Sequence, residues 1–407
     1  MALLESETFG YQRIALPFGL STSGEDRSQT AKLVFPDDLT GKTVLDLGCS
    51  YGFFCFEAKR RGATRVVGID VDPEVIRKAR ILASILTLEI DFRITDIEAE
   101  PISERFDYVL SLNLLHHMRD PVAILHALGA ITRERLVLEV ASLGRRDRKR
   151  LGIGWLSALL LSRQPIIVAG ASGPSFNRNV QRFYFTRKAI RTLLLKQHGW
   201  FASLSFSASP HKGRFVVLAQ RRRIDHLVLV TGPTSSGKST LIDRLWKGDL
   251  PQLSDRIGLT DKSDWPQPIN TNHLFENSPA SASNVIWHYD FLRPYYRTSK
   301  TYERDEALEA LTCAEKVTVI TVWTPPERLR AQFFRSEIER RGKKRRSPAS
   351  HHLKILKQYE DDRRVLGLYK AWFAYVQGRA AEHLVVTLDE TGLTVRTPME
   401  WAALDHR

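Results

Sequence analysis

Two stretches of the chain place glycines beside an acid or a lysine in spacings that can hold a nucleotide-derived ligand. In LDLGCSYG, residues 45–52, Asp46 precedes Gly48 and Gly52, and the next apolar run ends at Asp70. Glycine lets backbone approach a ligand where a side chain would collide, and an acid closing the following strand can accept hydrogen bonds from both hydroxyls of a ribose. In LVTGPTSSGKST, residues 229–240, Gly232, Gly237, Lys238 and Ser239 satisfy G-x-x-x-x-G-K-[ST]. Such a loop surrounds phosphates with backbone N–H groups; the lysine neutralises β- and γ-phosphate charge, and the serine hydroxyl can coordinate Mg2+. Thr240 opens the helix beside them and joins the expected nucleotide-binding set.

Other residues fit the same chemistry. Asp96 follows a third apolar run, Asn113 a fourth, and His116 and His117 come directly after it. An imidazole there can take the proton of an acceptor hydroxyl, and His117 is the expected base, although a His pair at this point can equally be structural. Were the acceptor a phosphate oxygen, already ionised, no base would be needed. Asp290 closes NVIWHYD in the second half, placed to hold Mg2+ through water or to receive a proton from an acceptor hydroxyl.

These residues need strand ends to position them, and the pattern supplies them. TVLDLG, RVVGID, DFRITD, FDYVLSLN and RLVLEV alternate with helix-like stretches, and FASLSFSASPHKGRFVVLAQRR reads as a closing antiparallel hairpin. A second series begins at HLVLVTG and continues through NVIWHYD, VTVITVW and HLVVTLD. Between its last two strands, Leu356, Tyr359, Leu366, Tyr369, Phe373 and Val376 recur at helical spacing and predict one long amphipathic helix. The fold class expected is α/β with two doubly wound domains, 1–222 and 223–407, joined in QRRRID.

Residues 42–140 resemble the class I S-adenosylmethionine (SAM)-dependent methyltransferases. In that likeness Asp46 to Gly52 match the glycine-rich first motif, Asp70 the ribose-binding acid, Asp96 the adenine-contacting acid, and Asn113 to His117 the segment beside the methyl group. The loop lacks the G-x-G-x-x-G of dinucleotide sites. The lead-in QRIALPFGLSTSGEDRSQTAKLVFPDDLTGK is similar to that of the tRNA wobble-uridine methyltransferase-like group, which implies the cofactor more than the acceptor. The second half resembles the P-loop small-molecule and nucleotide kinases, which implies ATP and Mg2+, with Asp290 and Ser239 at the metal. By the same likeness Arg335, Arg340 and Arg341 stand where lid arginines close on phosphates. The loop is also similar to that of tRNA isopentenyltransferases, whose continuation after Thr240 is missing here.

Composition narrows the partners. The 407 residues carry 60 Lys and Arg against 46 Asp and Glu, a formal charge of +14, which favours anionic partners. Three cysteines without metal-ligand spacing argue against a disulfide framework or a zinc site and for a reducing cytoplasm. The segment RRDRKRLGIGWLSALLLSRQPIIVAG, 145–170, sets a basic run before an apolar stretch: either a lid over the acceptor pocket or a contact with the inner face of a membrane. The function expected is a bifunctional enzyme in which ATP-dependent phosphorylation and SAM-dependent methylation meet on one small polar or glycan acceptor. The alternatives are an RNA- or tRNA-modifying methyltransferase with an accessory NTPase domain, and a methyltransferase regulated by a nucleotide-binding domain without catalysis.

Overall fold

Four apolar runs, each buried along most of its length, become parallel strands because both faces of the sheet are covered by helices, while a fifth, DFRI at the sheet edge, buries only Phe92. The computed structural model describes residues 9–171, 181–197, 200–269, 281–296, 301–344, 350–389 and 392–404. The chain divides into two compact units, Met1–Arg222 and Arg223–Arg407.

In the first unit the strands are β1 (Thr43–Leu47), β2 (Arg65–Asp70), β3 (Asp91–Ile94), β4 (Phe106–Leu112), β5 (Thr132–Ala141), β6 (Ile167–Ala171), β7 (Gln181–Phe185), β8 (Phe201–Ala208) and β9 (Arg214–Arg221). Seven form one sheet in the order β3-β2-β1-β4-β5-β9-β8, parallel through β5 and then antiparallel. The order reverses between β1 and β4, so a crevice opens beyond their C-terminal ends, where ligands bind in open α/β sheets. Helices Phe53–Arg60 and Pro73–Leu86 bury Phe54, Cys55, Ile76, Ala79 and Leu82 against one face. Asp72 and Asp120 cap the helices that start at Pro73 and Pro121, each accepting two backbone N–H groups. Strands β6 and β7 pair antiparallel as a separate two-stranded sheet.

The second unit contains β10 (Arg223–Gly232), β11 (Ser281–Asp290), β12 (Ala314–Val322), β13 (Glu382–Asp389) and β14 (Gly392–Arg396) in the order β11-β10-β12-β13-β14, antiparallel only at β14. An isolated parallel bridge from Ile269 to Trp287 extends the pairing beyond β11. β10 lies between β11 and β12, and this places a second switch point at its C-terminal end, where residues 232–239 sit. One face carries an aromatic core of Trp287, Tyr289, Phe291, Tyr369 and Trp372; the other packs Leu241, Ile242 and Leu245 of helix Lys238–Lys247.

The long helix expected over the last third is two helices, Ser350–Tyr359 and Asp362–Val376. Asp361 interrupts it: its backbone is extended and its side chain accepts the Arg363 N–H, a cap that competes with helix continuation. Asp361→Ala is expected to lower the stability of this unit by about 1 kcal/mol, read as a shift in the urea midpoint at unchanged slope; an unchanged midpoint would mean the break is imposed by packing alone.

Candidate functional sites

The first site is built on the end of β1. Asp46 is 1% exposed, and burial pushes its carboxyl up to about 7 against the opposing hydrogen bond from Cys55 Sγ at 3.6 Å. The chain then turns through Gly48, φ +74°, and Gly52, φ +89°, the second capping helix Phe53–Arg60. A Cβ on Gly52 would lie 2.7 Å from the Phe92 ring, so glycine is required there by both backbone and space. Asp70 ends β2 and accepts the Ser50 N–H at 3.0 Å and the Asp72 N–H at 3.2 Å; burial raises its pKa. Asn113 follows β4 with φ +60°, its N–H donating to the Glu139 carbonyl at 3.1 Å. Its buried Oδ1 has no hydrogen-bond partner among the described residues, an acceptor aimed at something other than protein.

A cavity brings together Asp46, Gly48, Leu112 and Asn113 from the strand ends with Tyr11, Gln12, Glu25 and Arg27 from the lead-in. The remaining residues expected at this site stand around it. Asp96 is exposed in the loop after β3 and accepts the Glu98 N–H at 2.9 Å. His116 is 1% exposed and His117 half-buried, their ring centroids 4.0 Å apart on the turn Leu115–His117.

Sequence reasoning missed Arg27. Its guanidinium is buried, 2.8 Å from Glu139 Oε2 and 5.4 Å from the centre of the Phe54 ring, while its Nε has no partner among the described residues. Glu139, near the end of β5, is fully buried and also accepts from Ser209 Oγ at 2.5 Å. A lone arginine far ahead of the first strand has no local pattern; only the folded lead-in carries it to the crevice.

The second site is built on β10 and the helix after it. Gly232 has φ +156°, and a Cβ on it would lie 2.5 Å from Ser236 Oγ and 3.1 Å from the Val322 carbonyl. Gly237, φ +94°, caps helix Lys238–Lys247, whose free N–H groups head the loop. Lys238 is 4% exposed; its Nζ donates to the carbonyls of Gly232 at 2.9 Å and Pro233 at 2.7 Å and stands 3.9 Å from Asp290 Oδ2. Burial lowers its pKa, opposed by Asp290. Asp290 pairs in register with Gly232 across β10 and β11, and accepts from Thr234 Oγ1 at 2.5 Å and from the Leu292 N–H at 2.9 Å. Tyr359 donates to the Thr234 carbonyl at 2.6 Å and Thr324 to the Ser236 carbonyl at 2.9 Å, holding the loop from two further elements. Neither tyrosine nor threonine was anticipated, since both come from distant parts of the sequence.

Ser239 and Thr240 are exposed on the first helical turn. Arg335 is exposed on helix Pro326–Lys344; the side chains of Arg340 and Arg341 lie outside the described residues. Two observations fit an anionic group at this loop: open space beside Gly237 at the helix N-terminus, and the buried Ser236 Oγ without a partner among the described residues. At the first site the cavity lined by Asp46, Gly48 and Asn113, with the Asn113 Oδ1 acceptor, fits a nucleoside bearing a cationic amino-acid end, which Asp46 would face.

Residues 38–148 match the family model described as "Methyltransferase domain". The chain is similar to the ubiquinone biosynthesis O-methyltransferase of Rhodopseudomonas palustris (strain HaA2), 37% identical over 26% of this chain and 42% of that protein. It is also similar to the magnesium-protoporphyrin O-methyltransferase of Rhodobacter capsulatus, 34% identical over 33% of this chain and 61% of that protein. The chain therefore spans less than two thirds of the length of either relative. A solved structure, the N-terminal domain of EvdMO1 in the presence of SAH and D-fucose, covers 54% of this chain and 94% of its own at 19% identity and a TM-score of 0.42. What the comparisons show for the first unit is a match to a methyltransferase domain over residues 38–148.

Were Asp46 to face the ammonium of bound SAM, its raised carboxyl pKa would make cofactor affinity depend on pH. Below about pH 7 Asp46 holds a proton and offers no charge, so affinity for S-adenosylhomocysteine (SAH) is expected to fall as the pH drops through 7, by up to about tenfold per unit. Calorimetric titration from pH 5.5 to 8.5 reads this, and a slope unchanged in Asp46→Asn would assign it to another group. In the ligand-free protein the sign runs the other way. The folded state binds the proton more tightly than the unfolded chain, so the contribution of Asp46 to stability is present at low pH and lost as the pH rises through about 7.

Proposed function

We propose that this chain is a two-donor enzyme: the first unit transfers a methyl group from SAM to an oxygen of a small polar acceptor, and the second binds ATP with Mg2+ and phosphorylates the same acceptor. The observation that supports the first half is the turn Asp46–Gly52 at the switch point beside β4, inside the stretch that matches the methyltransferase model. When bound, SAM supplies an electrophilic methyl on sulfur. The chain's own residues orient it: Asp46 and Arg27 at the amino-acid end, Asp70 at the ribose, Asp96 at the base, Asn113 beside the reacting carbon. His117, half-buried on the turn after β4, takes the hydroxyl proton as the oxygen attacks.

The second half rests on Lys238 standing 3.9 Å from Asp290 at the end of a strand–loop–helix unit. ATP supplies a transferable phosphoryl group. Lys238 and the backbone N–H groups of residues 234–239 would hold its phosphates, Ser239 and Asp290 would hold Mg2+, and Arg335 would approach from helix Pro326–Lys344. A second reading is supported by the closed loop, in which Lys238 is bonded to two loop carbonyls and Thr234 occupies Asp290: the second unit binds nucleotide and controls methylation without transferring phosphate.

The test is mass spectrometry of metabolite fractions incubated with the full chain, methyl-labelled SAM and ATP, omitting each donor in turn. The two-donor reading expects a product heavier by one methyl and one phosphate, and only phosphorylated product when SAM is left out. Methylation that responds to ATP with no phosphorylated species would support the second reading. Equal methylation with and without ATP would sink both accounts of the second unit.

A further inference from the structure

Helix Trp155–Ser162 buries none of its residues. Trp155 is 74% exposed, Leu160 60%, Leu156 55% and Leu159 45%, more exposed large apolar side chains than any other described helix carries. Isolated exposed apolar side chains need no explanation, but four on an eight-residue helix do. At about 12 Å the helix is too short to cross a bilayer, and no described helix is long and apolar enough to do so.

Its surroundings are basic. Helix Arg145–Arg150 runs just ahead of it with Arg145, Lys149 and Arg150 exposed, and exposed Arg163 follows it. The single acid between them, Asp147, accepts a hydrogen bond from Tyr184 at 2.7 Å. The asymmetry reaches further: from Arg148 to Ile224 the sequence has fifteen Lys and Arg and no Asp or Glu, in a chain whose whole formal charge is +14. Among them Arg187, Lys188, Arg191 and Lys212 are exposed. The insertion is also tied to the first site. It leaves β5 at the C-terminal edge of the sheet, and β7 packs on the turn that carries His116 and His117.

We infer that the segment Arg145–Arg163 docks the first unit on an anionic lipid surface, with Trp155, Leu156, Leu159 and Leu160 in the headgroup–acyl boundary and the flanking Arg and Lys against lipid phosphates. An apolar patch without charge would suit a protein neighbour as well. Apolar side chains framed by cations, with the one local acid occupied, match a negatively charged membrane leaflet. The inference goes beyond the proposed reactions and stands whichever acceptor is methylated.

The experiment is flotation of the full chain with vesicles of phosphatidylcholine alone and of phosphatidylcholine with phosphatidylglycerol, at low and high salt. Binding is expected only to the anionic vesicles and is expected to fall with salt. Trp155→Ser/Leu156→Ser/Leu160→Ser is expected to abolish flotation, and Arg145→Ala/Lys149→Ala/Arg150→Ala to lower partitioning about a hundredfold, at about fivefold per lost cation. SAH affinity measured on each variant verifies that the first unit is folded, because none of these residues lines the cofactor cavity. Equal binding to neutral vesicles, or binding that survives the serine variant, overturns the proposal. So does self-association in size-exclusion chromatography that the serine variant abolishes, which would make a second copy the occupant, or RNA homopolymer binding that only the alanine variant weakens.

Discussion

Lys238→Met is expected to lower the affinity of the chain for ATP with Mg2+ by at least about a hundredfold and to leave SAH affinity unchanged, if the second unit binds nucleotide as proposed. The ammonium is 4% exposed at the mouth of the loop and already desolvated, which lowers its pKa and strengthens any contact it makes with a phosphate. Its present hydrogen-bond acceptors are the carbonyls of Gly232 and Pro233, neutral groups that a triphosphate would outcompete through charge, while Asp290 stands further off at 3.9 Å. Losing one or two charge-assisted hydrogen bonds costs about 3 kcal/mol or more, which is the hundredfold. Methionine fills a similar volume, so the loop keeps its packing on Thr324 and Tyr359. Calorimetry with ATP and with SAH on the same preparation gives both readouts. An ATP affinity within threefold of the parent would remove the phosphate cradle from the account of the second unit.

What the sequence revealed and what it hid divide along a physical line. The strands were legible because apolar runs bounded by turn-forming residues need no long-range information: TVLDLG and FDYVLSLN are β1 and β4, and Asp46 near the end of the first and Asn113 after the second lie at the C-terminal edge. Both glycine loops were legible for the same reason, since positive φ at Gly52 and Gly237 is a local demand. The periodicity of residues 356–376 was also real, and still misled, because Asp361 breaks the helix without disturbing the spacing of apolar residues on either side. Arg27, Glu139, Thr324 and Tyr359 were out of reach. Each acts through a contact with a residue far along the chain: Arg27 to Glu139, Tyr359 to Thr234, Thr324 to Ser236. A single sequence carries no trace of such pairings.

The Arg27–Glu139 pair supports the other large effect. Glu139 is fully buried, and its carboxylate is answered by Arg27 at 2.8 Å, Ser209 at 2.5 Å and, more distantly, Arg214 at 3.6 Å. Arg27→Met removes the nearest positive charge from a group that has no water to turn to. The expected cost is about 3–5 kcal/mol of stability in the first unit, seen as a lower urea midpoint. Adding Glu139→Gln removes the stranded charge while keeping an acceptor for Ser209, so the double variant is expected to regain most of that stability. Cofactor affinity separates the two roles of the arginine. Arg27 lines the cavity beside Asp46 and has an Nε without a protein partner among the described residues. If it also holds the carboxylate of the cofactor, SAH binding stays weak in the double variant although the fold has recovered. Recovery of both together would make Arg27 a counter-ion for Glu139 and nothing more.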